Sequence, residues 1–200
     1  MSLNFANNNS LSTISSLPAS ISSGAMTLLS TQTASSSSTI SFTSGIDSTY
    51  DKYVFKFYNI HAQTAYASFS FQANASGGSG FNETITSTFF EAKHNENDSE
   101  AVLRYKSDDD QAQGTAYQKI SLSFGTDNDA SCSGTLQLFN PSSTTFVKNF
   151  MSDATEELSN YNQHSYVAGY FNTTSAINAV QFKMSSSNID SGVIKLYGIS

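Results

Sequence analysis

The 200-residue chain is short of charge: 9 Lys and Arg stand against 16 Asp and Glu, 12% of all positions, for a formal net charge of −7. That is about half the usual charged fraction of a globular chain. With no cluster of basic side chains to neutralise phosphates, nucleic acid is excluded as the expected partner. A single cysteine, Cys132, removes any intramolecular disulfide and any multi-cysteine zinc site. No apolar run approaches the ~20 residues a membrane-spanning helix needs, so no membrane partner is expected, and the N-terminus lacks the basic start of a secretory signal. The chain reads as made in a reducing cytosol. Its length leaves room for one large all-β domain, or an ordinary domain with a tail, but not for a second catalytic domain.

What is present points one way. There are 15 Phe and 10 Tyr but no Trp and only 2 Pro, among abundant Ser, Thr and Asn. β-formers and turn-tolerant polar residues therefore dominate, and an all-β chain is expected.

The first charged residue is Asp47, and Ser fills fifteen of the first 44 positions. Apolar residues occur there singly, as Leu3, Phe5, Leu11, Ile14, Leu17, Ile21 and Met26. So little apolar mass does not offset a chain entropy of about 1–2 kcal/mol per residue. Residues 1–45 are therefore read as an extended docking arm, ordered by a partner's surface with those seven side chains as anchors, and 46–200 as the domain.

From Leu28 onward apolar residues alternate with period two, the spacing of a half-buried strand. Ile40 and Phe42 begin the series; Tyr53, Phe55 and Phe57, then Phe69 and Phe71, Ile85 to Phe90, and Leu103 and Tyr105 follow. Ile120, Leu122 and Phe124, Leu136 and Leu138, Phe146 and Phe150, Tyr166 and Tyr170, Val180 to Met184, and Ile194 to Ile199 complete it. Roughly nine or ten strands at such spacing predict an antiparallel β-sandwich of jelly-roll type. Residues 153–162 read as a single turn or an excursion loop.

Chemistry-bearing residues are sparse. His61, His94 and His164 lie in no catalytic or metal motif and are expected at the surface or at strand ends. Asp108, Asp110, Asp127 and Asp129 are the oxygens a Ca²⁺ site would draw on. Their runs lack the Gly and Glu spacing of an EF-hand loop, so solvated acidic loops are the expectation. No carboxylate is expected at a strand centre, where burial would tune it for acid–base work. The N-x-S/T matches at Asn8, Asn74, Asn82, Asn97 and Asn172 follow from the Ser/Thr excess. Cys132 alternates in phase with Leu136 and Leu138 and is expected in the core. No catalytic residue, metal or cofactor is expected. Exposed Tyr and Phe on strands could stack sugars, although the missing Trp removes the best ring for it.

Three stretches carry a resemblance. The run Thr31–Ile60, including Thr39-Ile40-Ser41-Phe42-Thr43-Ser44-Gly45-Ile46-Asp47 and Tyr53-Val54-Phe55-Lys56-Phe57-Tyr58-Asn59-Ile60, resembles small virion proteins of marine tailed bacteriophages. So do Leu138-Phe139-Asn140-Pro141-Ser142-Ser143-Thr144-Thr145 and Ile194-Lys195-Leu196-Tyr197-Gly198-Ile199. The resemblance spans residues 28–200 and implies a β-sandwich presented on a particle and joined to it by an N-terminal arm. A non-enzymatic virion structural protein is thus expected, localised to the virion and assembled in the host cytoplasm, most simply a capsid decoration such as a cement, knob or head fibre. The alternative is a tail fibre or receptor-binding module recognising a host surface glycan. The expected partners are the major capsid protein or a neighbouring virion protein, and further copies of the chain, with a trimer favoured.

Overall fold

The computed structural model describes residues 26–123 and 125–200. Among them there is no helix, and so none long and apolar enough to cross a membrane. Thirteen strands are present: β1 (Thr27–Ser37), β2 (Ile40–Phe42), β3 (Lys52–Ala62), β4 (Phe69–Ala75), β5 (Ile85–Asn95), β6 (Ala101–Tyr105), β7 (Ala112–Gly114), β8 (Gln118–Lys119), β9 (Cys132–Phe139), β10 (Lys148–Leu158), β11 (Tyr161–Phe171), β12 (Ile177–Met184) and β13 (Ile189–Ile199). All pair antiparallel in two sheets. Nine strands form the larger sheet, in the order β1-β13-β3-β9-β10-β11-β5-β6 with β7 on β5, and four form the smaller, β2-β12-β4-β8. The expected all-β sandwich is thus observed.

Period-two alternation explains the layering. The central strands of the large sheet, β13, β3, β9, β10, β11 and β5, each turn a buried row inward, and phenylalanines from the two sheets meet between them. Phe55 of β3 packs edge-to-face on Phe42 of β2 at 5.2 Å and on Phe182 of β12 at 5.3 Å. Phe57 meets Phe69 of β4 at 5.4 Å, and Phe71 of β4 meets Phe150 of β10 at 5.1 Å and Phe171 of β11 at 6.0 Å. These rings are essentially fully buried. Pairs of this kind add about 0.5–1.5 kcal/mol each beyond area burial, which makes them the main bond between the layers.

Three departures from the sequence reading concern larger elements, and Phe146, read as part of a strand, lies in the loop before β10. First, β1 and β2 lie inside the stretch 1–45 expected as an arm. β1 pairs with β13 from Thr27 to Ser37, and β2 pairs with β12. A segment with one buried apolar side chain, Ala34, is held by a backbone ladder to a strand more than 150 positions away rather than by apolar mass. Second, residues 153–162 are a continuous hairpin: β10 pairs with β11 down to Leu158 and Tyr161. Only Ser159 and Asn160 turn, with Ser159 in the left-handed region at φ 60°. Third, Ile120 and Leu122 are not in a strand; they follow β8, with the Ile120 amide donating to the Phe69 carbonyl of β4 and the Leu122 amide to Glu156 of β10. Phe124 and the anchors Leu3, Phe5, Leu11, Ile14, Leu17 and Ile21 lie outside the described residues, while Met26 is at the surface beside the start of β1.

Candidate functional site

Strand register sorts the surface into two unlike ends. Thr27 pairs with Gly198, Ile199 with Lys52, Lys52 with Phe139, Lys148 with Phe171, and Phe171 with Ile85, so all of these lie at one end. Residues 1–25 connect there through Met26. The exposed apolar side chains at this end are Met26, Leu28, Phe146 and Val147. Its charges are mostly tied down. Hydrogen bonds from the Thr49 side chain, from the Thr49 amide at 2.8 Å and from the Tyr53 hydroxyl at 3.1 Å hold the Asp47 carboxyl below the usual range. Glu83 accepts from the Ala75 amide at 2.8 Å. The buried Lys148 ammonium donates to the Phe146 carbonyl at 2.6 Å and the Thr173 carbonyl at 3.3 Å, and burial lowers its pKa.

The opposite end, where Ser37 meets Ile189, Ile189 meets Ala62, and Tyr161 meets Asn95, gathers Glu96, Asp98, Glu100, Asp127, Asp129, Glu157 and Asp190. Glu157 registers this crowding: desolvation first, then Asp129, Asp127 and Glu96, raise its pKa. A polar pocket of about 390 Å³ opens here, lined by Asn59, His61, Asn128, Asp129, Ser131 and Asp190 among others. Irregular register makes it. β3 slips against β9 between Phe57 and Ile60, and against β13 on either side of Ser191. Asn59 takes φ 49° and Gly192 φ 130°, where an added Cβ would run into Ile60 and the Asn59 carbonyl. His61 turns one ring nitrogen to the Asp127 carbonyl at 3.2 Å and the other to the Asp190 carboxylate at 3.5 Å, so neither is free for a ligand or a nucleophile.

The calcium candidates stay dispersed. Asp110 accepts from the Tyr105 hydroxyl, and its neighbour Asp109 is paired with Lys119 and, at 3.4 Å, with Lys106. Among the described residues no three His, Cys, Asp or Glu side chains come together as a metal site. His94 pairs with Asp98 at 3.0 Å. His164 is inside β11 rather than at its start and stacks on Tyr166 at 4.2 Å.

The sequence reading missed a buried acidic cluster. Glu91 in β5 and Glu156 in β10 are essentially inaccessible, contrary to the expectation that no carboxylate occupies a strand interior. Glu156 Oε1 accepts from the Leu122 amide at 2.9 Å and from Gln163 Nε2 at 2.8 Å, while Oε2 has no partner. Burial, more than the nearby Glu91, raises its pKa to about 8. Cys132, cross-strand from Glu156, is buried as expected, and burial together with Glu156 pushes its thiol up. Glu91 is held by Arg104 reaching in from the edge strand β6. The signal was in the alternation, since Glu91 is in phase with Phe89 and Glu156 with Phe150.

Aromatic rings lie on the outer faces of both sheets and in the loops; Tyr66, Tyr105 and Phe146 are more than half exposed, while several others have one face covered. Phe90, Tyr166 and His164 stack on one another at 5.2 and 4.2 Å. Lysine ammonium groups lie over Tyr161 (Lys93, 3.7 Å), Tyr117 (Lys183, 4.2 Å), Tyr197 (Lys56, 5.5 Å) and Tyr58 (Lys195, 5.8 Å).

Comparison with known proteins adds little. No family model and no curated protein matches the chain. One solved structure, a structural-genomics protein of unknown function from Bacteroides ovatus, is similar with a TM-score of 0.28 and 9% identity over 56% of this chain. The match spans 45% of that protein, and at this TM-score it carries no argument.

Proposed function

We propose that the chain is a non-enzymatic structural protein of a bacteriophage particle, a capsid-surface decoration assembled onto virions in the host cytoplasm. The observation that carries this reading is the polarity of the sandwich. Residues 1–25 lead into the end that exposes Met26, Leu28, Phe146 and Val147 and carries the carboxylates of Asp47, Asp51 and Glu83, whereas seven carboxylates gather at the other. Such a module docks by its neutral end, where few charges need desolvation, and presents a solvated, self-repelling end outward. The docking partner is then the major capsid protein or a neighbouring virion protein. The connectivity is consistent with the role. β1-β13-β3-β9 against β2-β12-β4-β8 supports a jelly-roll path, with β5–β7 and β10–β11 as insertions, and that architecture is common in viral capsid and lectin domains. The glycan-binding alternative draws its remaining support from the open rings of Tyr66, Tyr105 and Phe146, since Phe90, Tyr166 and Tyr161 are each covered on one face by another ring or by a lysine.

The test is particle association of the full chain carrying Leu11→Asp, Ile14→Asp and Leu17→Asp, set beside the unsubstituted chain. The expected result is that the unsubstituted chain sediments with capsids and the variant stays in the soluble fraction with an unchanged melting temperature. Sedimentation of both, or labelling confined to tails, overturns the reading.

A further inference from the structure

Sheet edges expose unpaired backbone groups, and proteins ordinarily blunt them with short strands, charge or proline. Among the described residues, four of the five edge strands follow that rule. β8 has two residues, β2 and β7 three each, and β6 five with Arg104 among them. β1 does not: it has eleven residues, no charge and no proline, and among the described residues it pairs only with β13. From Ser30 to Ser35 its register against Leu196 to Ser191 is unbroken, bracketed by a bulge at Leu28/Ser30 and by Ser36 at φ 49°. Thr31, Gln32, Thr33 and Ser35 are exposed.

We propose that the free edge of β1 is a self-association surface, on which β1 of a second copy pairs antiparallel about a two-fold axis and joins the two nine-stranded sheets. Charge selects this occupant. A chain of net charge −7 repels its own copies, and a two-fold axis sets like against like. No residue before Asp47 is charged, so this edge is where two copies meet without fixed charge in the way. Side-chain size agrees. An axis at Gln32 sets Thr31 opposite Thr33, whose hydroxyls bond across a strand pair, and Ser30 opposite Ala34, both small. The pairing is isologous and closes at two copies, not at the three favoured from the sequence. It stands on the strand itself and is independent of the particle reading.

The test is the solution mass of the full chain by light scattering after size exclusion. The expected mass is twice 21.5 kDa for the unsubstituted chain. It falls to 21.5 kDa for T31K/T33K and for T31E/T33E, in which like charges face across the axis, and returns to twice that value when the two variants are mixed. A cooperative melting transition in each variant, at or below that of the unsubstituted chain, confirms that the variants fold. L11D/I14D/L17D keeps the doubled mass. The proposal is overturned by a monomeric unsubstituted chain, by a mass or trimer that survives both charge variants, by no recovery on mixing, or by loss of the pair in the leader variant, which would give the edge to residues 1–25.

Discussion

The same three strands build two unlike interiors. Toward the neutral end, β5, β10 and β11 turn Ile85, Phe89, Phe150, Val167 and Phe171 inward against the rings of the small sheet. A few residues farther along they turn in Glu91, Glu156, Gln163 and Ser165 under the segment Ser121–Leu122. The first half is stabilised by area and shape, the second by whether each polar atom finds a partner. Fully satisfied polar clusters are neutral at best, and a single orphan costs about 1–3 kcal/mol. The comparison therefore predicts that the two halves fail differently, one by cavity and the other by proton or partner.

The largest effect belongs to the aromatic half. Phe182 touches the rings of Phe42, Phe55, Phe69 and Phe71, joining strands of both sheets. Phe182→Ala is expected to cost about 3–5 kcal/mol, with no dependence on pH, as read from urea midpoints. A loss under about 1 kcal/mol would mean that the layers are not joined through these rings.

The polar half answers to pH. Glu156 holds its proton to about pH 8 when folded, against 4.5 for the exposed group. The folded chain thus binds more protons across that window, and stability falls as pH rises through it, at up to about 1.4 kcal/mol per unit. Glu156→Gln keeps an acceptor for Leu122 and Gln163 and has no proton to lose. It should match the unsubstituted chain near pH 4.5, flatten the slope and be the more stable of the two above pH 8. Parallel stability curves for the two chains between pH 5 and 8.5 would contradict the buried-acid account.

That contrast also marks what a reader of the sequence can and cannot see. Phe55, Phe57, Phe69, Phe71, Phe150, Phe182 and Cys132 announce the core because residue type and period agree. Glu91 and Glu156 have the right period and the wrong type, and a carboxylate is buried only where partners from distant segments, Arg104 and Leu122, arrive to hold it. β1 is hidden for a related reason: its Ser and Thr argue for no structure, and its order comes from β13 at the other end of the chain. The polarity of the two ends escapes notice because acids scattered from Glu96 to Asp190 converge only through strand register.

The smallest of the three effects separates partner from charge. Glu91 is 1% exposed, whereas Arg104 is half in solvent, so the ion pair is asymmetric. Removing the exposed member by Arg104→Ala leaves a carboxylate facing Glu156 in the interior. Breaking fully buried pairs costs about 3–5 kcal/mol, and water at the β6 edge should reduce this to about 2. Glu91→Gln alone strands an arginine that simply turns to solvent, and the expected loss is under about 1 kcal/mol. The double variant should then resemble Glu91→Gln rather than the sum, with a coupling energy above about 1 kcal/mol in a double-mutant cycle. Additive losses would show that Arg104 acts by covering the sheet edge with its methylene stem, and the polar half would then owe its stability to packing, as the aromatic half does.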